Sequence, residues 1–275
     1  GVDIDNEACN IFSKRYGIET YNEIEDALLH IKPDLIILAV PTSFQLEAIR
    51  RIAKCFIPKT ILCEKPMGDN LDQGIEIVSI CRKKEISLYV NYVRRCLPGS
   101  KEIKKRIDNG LINAPIKCVF WYSKGLRHNG SHFINLMEYW FGKGLDSQII
   151  NKGRNFQSFG FEPYAYLKFH NCEVSIIPAW EEFYSHYTIE IISSSGRLYW
   201  SQDNLEWTKV IRSENFKGYS FLANESEKIF TGAEKYQMHA ADELYLAMTD
   251  QFSSICNGEQ ALETLHSIDS ILLMD

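Results

Sequence analysis

Glu64-Lys65-Pro66 sets a carboxylate, an ammonium and a ring that locks φ directly after the apolar run Thr60 to Cys63. That run reads as a buried parallel strand. Ligands of open α/β sheets sit at the carboxyl ends of strands, so Glu64 and Lys65 fall where a ligand would lie. Taken alone, the tripeptide also reads as a solvated turn. A second group is Lys124-Gly125-Leu126-Arg127-His128-Asn129-Gly130-Ser131-His132. Here Ser131 predicts an N-cap for a short helix to Phe141, with His132 in its first turn. The positive end of a helix disfavours imidazolium, which would leave His132 neutral and able to accept a proton. The plainer alternative is that His128 and His132 satisfy loop carbonyls. Zinc is a weaker reading, because no further Cys or His lies at ligand spacing.

The elements that must position these groups alternate in kind. Gly1 to Asp5 reads as the end of a strand, and Asn6 to Tyr16 as a helix closed by Gly17. Asn22 with Glu25 has the form of an N-cap for a helix whose face is Ile24, Ala27, Leu28 and Ile31, broken at Pro33. Asp34 to Val40 is a buried-strand run. Thr42 and Gln45 are spaced as a capping box for a helix along Leu46, Ile49, Ile52 and Ala53. Asn70 and Gln73 repeat that cap ahead of a stripe of Leu71, Ile75, Val78 and Cys81, and Ser87 to Val90 is a further strand. This alternation predicts an α/β fold with a Rossmann-like doubly wound parallel sheet.

None of the 16 glycines falls into G-x-G-x-x-G, the loop that presses backbone N–H groups against a pyrophosphate. In a dinucleotide fold, an acid ending the second strand binds the adenine ribose. Asp3 has that context, and the first βα unit would then precede Gly1 by roughly 25 to 30 residues. The other reading of Asp3 is an acid favoured by a helix dipole.

From Pro98, a helix (Lys101 to Ile107) leads to a strand, Ile116 to Tyr122. The chain then turns β-rich: Tyr164 to Phe169, Cys172 to Ile177, Tyr187 to Ser193, Arg197 to Trp200 and Trp207 to Ile211. Short turns between them predict an antiparallel meander. The aromatics Tyr164, Tyr166, Phe169, Trp180, Trp200 and Trp207 predict a face that packs on helices or on another subunit. Two helices close the chain, separated at Gly258. The expected division is 1–95, a nucleotide-binding domain, and 96–275, an α+β domain with a mostly antiparallel sheet.

Composition narrows the function classes. With 45% hydrophobic and 24% charged residues and a net charge of -6, the chain has no general basis for holding nucleic acid or an anionic membrane surface. Eight scattered cysteines without C-x-x-C spacing read as reduced core thiols. No apolar run approaches the roughly 20 residues needed to span a bilayer, and no signal peptide opens the sequence, so a cytoplasmic protein is expected.

The run from Gly1 to about Gly142 resembles the Gfo/Idh/MocA oxidoreductases. The resemblance rests on Asp3, Leu38-Ala39-Val40-Pro41-Thr42-Ser43, Cys63-Glu64-Lys65-Pro66, Asn91 with Arg94-Arg95 and Pro98, and the glycine-histidine stretch, all in order. It implies a nicotinamide-dependent dehydrogenase of sugars, nucleotide sugars or polyols. Lys65 takes the place of the family's catalytic lysine and His132 that of its helix-start histidine. Asp3, Val40, Pro41, Thr42, Glu64, Lys65, Pro66 and Asn91 would bind the cofactor, and Asn91, Arg95, Lys124 and Asn129 the substrate. Many members carry aspartate where His128 stands, and a histidine where Gln45 stands. The stretch 124–132 looks most like members that make surface-polysaccharide sugars.

Moving a hydride from a carbinol carbon requires the hydroxyl proton to leave with it. On this reading Lys65 hydrogen-bonds the reacting oxygen and His132, with help from His128, takes the proton. A carboxylate at Asp3 accepts bonds from a ribose 2′-OH and repels a 2′-phosphate, which favours NAD over NADP. Two rivals share the fold: an idle nucleotide or sugar sensor, and a lyase or hydrolase that retains NAD for transient oxidation. No metal is expected, and the assembly expected is a homo-oligomer, dimer or tetramer.

Overall fold

The computed structural model describes residues 1–273. They divide into two compact units, 1–91 with 257–262 and 92–256 with the remainder. The boundary thus falls at 91/92 rather than 95/96, and a short C-terminal piece returns to the first unit.

The first unit opens with α1 (Asn6–Tyr16), preceded by a parallel bridge between Val2 and Tyr21. Its cap is Asp5, whose Oδ1 accepts the Glu7 N–H at 2.8 Å, so Asp3 is not the capping acid. Gly17 ends the helix at φ 66°, a conformation that costs glycine little. The helix α2 (Ile24–Ile31) carries no side-chain cap, contrary to the Asn22 expectation. Asn22 instead donates Nδ2 to the Asp3 carbonyl at 3.0 Å. Next come β1 (Leu35–Leu38), α3 (Thr42–Cys55), β2 (Thr60–Cys63), α4 (Leu71–Lys83) and β3 (Ser87–Val90).

The three strands run parallel, with Leu38 beside Cys63 and Cys63 beside Val90. Only β2 is buried throughout; Ile37 on β1 is 62% exposed, so the run 34–40 is not the fully buried strand its composition predicts. Asn70 caps α4 as expected, accepting the Gln73 N–H at 2.9 Å. The buried side of α4 is Gly74, Ile77, Val78 and Cys81, so Val78 and Cys81 lie inside as expected, whereas Ile75 faces outward and Leu71 is half-buried.

The second unit holds α5 (Pro98–Asp108), β4 (Ile116–Tyr122), α6 (Ser131–Phe141), β5 (Asp146–Asn155), β6 (Phe161–Lys168), β7 (Cys172–Pro178), β8 (Thr188–Ile192), β9 (Gly196–Ser201), β10 (Asn204–Arg212), β11 (Ser220–Leu222), β12 (Glu227–Lys228) and α7 (Tyr236–Met248). The chain ends with β13 (Cys256–Asn257), the last strand of the four-stranded sheet β1-β2-β3-β13, and with α8 (Gly258–Leu272).

Eight of the second unit's strands lie in the order β11-β10-β9-β8-β4-β7-β6-β5, with β12 on β10. The sheet is mostly antiparallel but not a simple meander, because β4 inserts between β8 and β7 and pairs in parallel with β7. The strands β5, β11 and β12 are not legible in the sequence, since β5 and β12 are mostly polar and exposed without a period-two signal, and β11 is only three exposed residues long.

Alternation along β4 buries Ile116, Cys118, Phe120 and Tyr122 beneath α6. Phe120 stacks on Phe133 at 5.3 Å, and Trp140 meets Trp200 at 6.2 Å. Burying each such ring is worth about 2–3 kcal/mol. The six aromatics singled out in the sequence do not share one face. Phe169, Trp200 and Trp207 are core, Tyr164 and Tyr166 are half-buried on the other side, and Trp180 is 60% exposed.

Candidate active site

In the first unit, parallel register brings strand ends together. The Glu64 N–H donates to the Leu38 carbonyl at 3.1 Å, so the segments after β1 and β2, carrying Val40-Pro41-Thr42 and Glu64-Lys65-Pro66, leave the sheet side by side. Asn91, just past β3, donates its backbone N–H to the Cys63 carbonyl at 2.8 Å and its Nδ2 to Glu64 Oε1 at 2.8 Å. The carboxylate and the amide predicted as ligands thus hold each other at adjacent strand ends. Lys65 is half-buried, and Pro66, Met67 and Gly68 are buried beyond it.

Sequence spacing placed Gln45 in a capping box, but α3 starts without a side-chain cap. Gln45, 1% exposed, instead donates Nε2 to the Glu64 carbonyl at 2.8 Å and accepts the Gly68 N–H at 2.7 Å. It ties both ends of the lysine loop to the first turns of α3. The only sequence signal was a polar side chain in an otherwise apolar helical stripe. Asp3 is exposed; its Oδ1 accepts the Asp5 N–H at 2.9 Å, and its backbone N–H bonds to the Tyr21 carbonyl at 3.1 Å.

In the second unit, the stretch 124–132 departs from the expected cap. Gly125–Gly130 is a π-helical turn that runs straight into α6. Ser131 is therefore inside a helical run, and its Oγ donates to the His128 carbonyl at 3.2 Å. His132 lies about two turns from the helical start and not at a bare positive end, which removes the dipole argument for its neutrality. The exposed N–H donors of that start belong to Lys124 and Gly125, and Glu162 Oε1 accepts both, at 2.8 and 3.1 Å.

Glu162, 1% exposed, reaches in from β6. Its Oε2 accepts from Arg154 Nε at 2.8 Å, its cross-strand partner on β5. Arg154 also grips Glu182 through both terminal nitrogens, and this hydrogen-bonded pairing holds the Glu182 carboxyl down to about 2 and pushes the guanidinium further up. Lys124 lies 5.1 Å over Phe159 and 3.8 Å from Glu181, while the His128 ring tilts against Phe159 at 5.2 Å. Asn129 donates Nδ2 to the Ser123 carbonyl at 3.0 Å, and the His132 ring stands edge-on to Tyr92 at 5.8 Å. A Cβ on Gly125 would collide with the Phe159 carbonyl, and φ there is 76°.

Arg95, proposed to hold substrate, is 4% exposed, donates Nε to the Ser254 carbonyl at 2.6 Å and lies 4.6 Å over Tyr139. It is a buried brace of the second unit. Its neighbour Arg94 is also enclosed, between the rings of Phe133 and Tyr187 at 4.7 and 4.5 Å. Glu162 and Arg154 went unrecognised because their alignment depends on irregular pairing between β5 and β6, which shifts register at Asn151 and again before Arg154.

Residues 2–92 match the family described as "Oxidoreductase family, NAD-binding Rossmann fold". Those residues are thus similar to the Gfo/Idh/MocA oxidoreductases. The uncharacterized oxidoreductase YrbE of Bacillus subtilis is 37% identical over 90 residues, 32% of this chain and 26% of YrbE. The D-xylose 1-dehydrogenase [NADP(+)] of Haloarcula marismortui is 28% identical over 97 residues, 35% of this chain and 26% of that enzyme. The chain thus spans about a quarter of the length of these curated relatives.

A solved structure of the WlbA dehydrogenase from Bordetella pertussis, with NADH and UDP-GlcNAcA, superposes on 98% of this chain and 85% of that one. Its TM-score is 0.76 at 15% identity, so it is similar in fold. The likeness of fold to this dehydrogenase therefore extends across both units. Among the described residues, no helix is long and apolar enough to cross a membrane.

Proposed function

We propose that this protein is an oxidoreductase that moves a hydride between a nicotinamide dinucleotide and the carbinol carbon of a sugar, nucleotide sugar or polyol. The observation that carries the reading is the Glu64-Lys65-Pro66 loop. It stands at the carboxyl end of β2, within the residues that match an NAD-binding Rossmann family, and Gln45 and Asn91 fix it. These residues fit the nicotinamide side of a dinucleotide: two strand-end segments side by side, with an ammonium and a braced carboxylate between buried supports. Asp3, exposed beyond the first bridge, suits a ribose hydroxyl pair.

When bound, the dinucleotide supplies the hydride acceptor. The chain's residues do the rest in this proposal. Lys65 donates a hydrogen bond to the reacting oxygen, His132 takes its proton, and His128, Lys124 and Asn129 orient the sugar. Val40, Pro41, Thr42, Glu64, Pro66 and Asn91 shape the cofactor side. Asp3 favours NAD over NADP, because a carboxylate repels a 2′-phosphate. A place in making surface-polysaccharide sugars is the finer reading supported by the stretch 124–132. Half-exposed aromatics on the sheet face away from α6, Tyr164, Tyr166 and Trp121 among them, support a homo-oligomer, and the compartment proposed is the cytoplasm.

The test is NADH formation by the full-length protein over a panel of sugars, uronates and polyols. Net reduction supports the dehydrogenase reading. Conversion without net reduction favours a lyase or hydrolase that retains its NAD, and binding without conversion favours a sensor.

A further inference from the structure

We infer that Glu162 is a positioning residue for the segment that carries the proton-transfer histidines, an inference that rests on the oxidoreductase reading above. Its carboxylate is buried, yet three hydrogen bonds meet it: successive backbone N–H groups of Lys124 and Gly125 on Oε1 and Arg154 Nε on Oε2. An anion seated on the first free N–H groups of a helical run is a stable arrangement, because the donors have no intrahelical partner and the dipole adds to the attraction. A buried carboxylate is costly unless matched in this way.

The surrounding backbone is built to admit it. Gly153, at φ 65°, lies so close to the Glu162 carbonyl that a Cβ would collide, and Gly125 is pressed against the Phe159 carbonyl in the same manner. Asn151 Oδ1 accepts the Gly153 N–H at 2.7 Å and steadies the bulge that presents Arg154. The apolar contact of α6 with the sheet, Phe120 on Phe133 and Trp140 on Trp200, involves none of these groups. The clamp instead fixes where the π turn begins. Slipping that start by one residue would rotate every side chain after it by about 100°, His128 and His132 included.

The test uses the full-length protein with the alcohol that the wild type oxidises fastest. Glu162→Gln keeps the side chain's volume and removes its charge. The expected result is faster amide exchange across 123–130, kcat lowered about tenfold or more, and NAD affinity unchanged within about twofold. Arg154→Gln, which removes one of the three contacts at a half-buried residue, is expected to show the same pattern with a smaller loss, and it carries the test should Glu162→Gln not fold. Unchanged exchange, or faster exchange with wild-type kcat, overturns the inference while a dead Lys65→Ala leaves the oxidoreductase reading standing. A wild type that transfers no hydride sinks that reading, and this inference with it.

Discussion

The lysine loop of the first unit and the histidine turn of the second are held by opposite means. Residues 64–68 are fastened by neutral amides: Gln45 to the Glu64 carbonyl and the Gly68 N–H, and Asn91 to the Glu64 side chain. All of these partners lie on the same parallel sheet or the helix beside it. The turn at 124–130 is fastened by charge, through Glu162, Arg154 and Glu182, all brought in from other strands and loops. The neutral clamp adds no charge of its own, so the Glu64 carboxylate that Asn91 braces is the fixed ion beside the lysine. A charged clamp adds to the turn's one buried apolar anchor, Leu126, and it is sensitive to the loss of a single partner.

That contrast can be broken in order of effect. Lys65→Ala is expected to lower turnover by about a thousandfold with NAD affinity nearly intact, since in the proposed function the lysine acts chiefly on the substrate oxygen. Wild-type turnover would remove it from the chemistry. Gly125→Ala should destabilise the second unit by about 2–4 kcal/mol, from the collision with Phe159 and the positive φ together, and thermal unfolding measures it. Gln45→Ala strands a buried carbonyl and a buried N–H and should cost about 1–3 kcal/mol, read by denaturant unfolding, with the sheet otherwise intact.

A fourth prediction concerns pH. Burial pushes the Glu138 carboxyl on α6 up to about 7, against the pull of hydrogen bonds from Thr264 and Ser267 and of Arg95, and with Glu263 adding to the rise. Its folded-state value lies above its unfolded one, so the folded form binds the proton more tightly. That contribution is present below the unfolded value near 4.5 and is lost as pH rises through about 7. Stability of the second unit should therefore fall by up to about 3 kcal/mol between pH 5 and 8, and Glu138→Gln should flatten the profile. An equal slope in both proteins would show that Glu138 does not set it. The smallest effect expected is Asp3→Asn, which should weaken NAD only severalfold while narrowing its advantage over NADP, measured by titration with both nucleotides.

The strand, helix and strand-end pattern of the first unit was readable because parallel strands announce themselves as short apolar runs and helices as amphipathic stripes. Ser87 to Val90, Thr60 to Cys63 and the Asn70 cap emerged where spacing placed them. Capping was read less well. Thr42 with Gln45 and Asn22 with Glu25 have the right spacing, but both Gln45 and Asn22 found tertiary partners instead; at Gln45, which is buried, the tertiary hydrogen bond outweighs a local one, whereas Asn22 makes its bond to the Asp3 carbonyl at the surface. Ser131 misled for a related reason: the helix it was expected to open had already begun as a π turn whose capping acid lies 37 residues further along the chain. Arg95 stood beside a predicted ligand in sequence but points into its own unit, onto Ser254 and Tyr139.

The most direct measurement is single-turnover transfer of deuterium from a carbon-deuterated sugar alcohol to the nicotinamide, in full-length wild type and in Lys65→Ala. The account predicts transfer in the wild type with a primary isotope effect, and none in the variant although NAD still binds. Equal transfer in both proteins, or none in either, would contradict it.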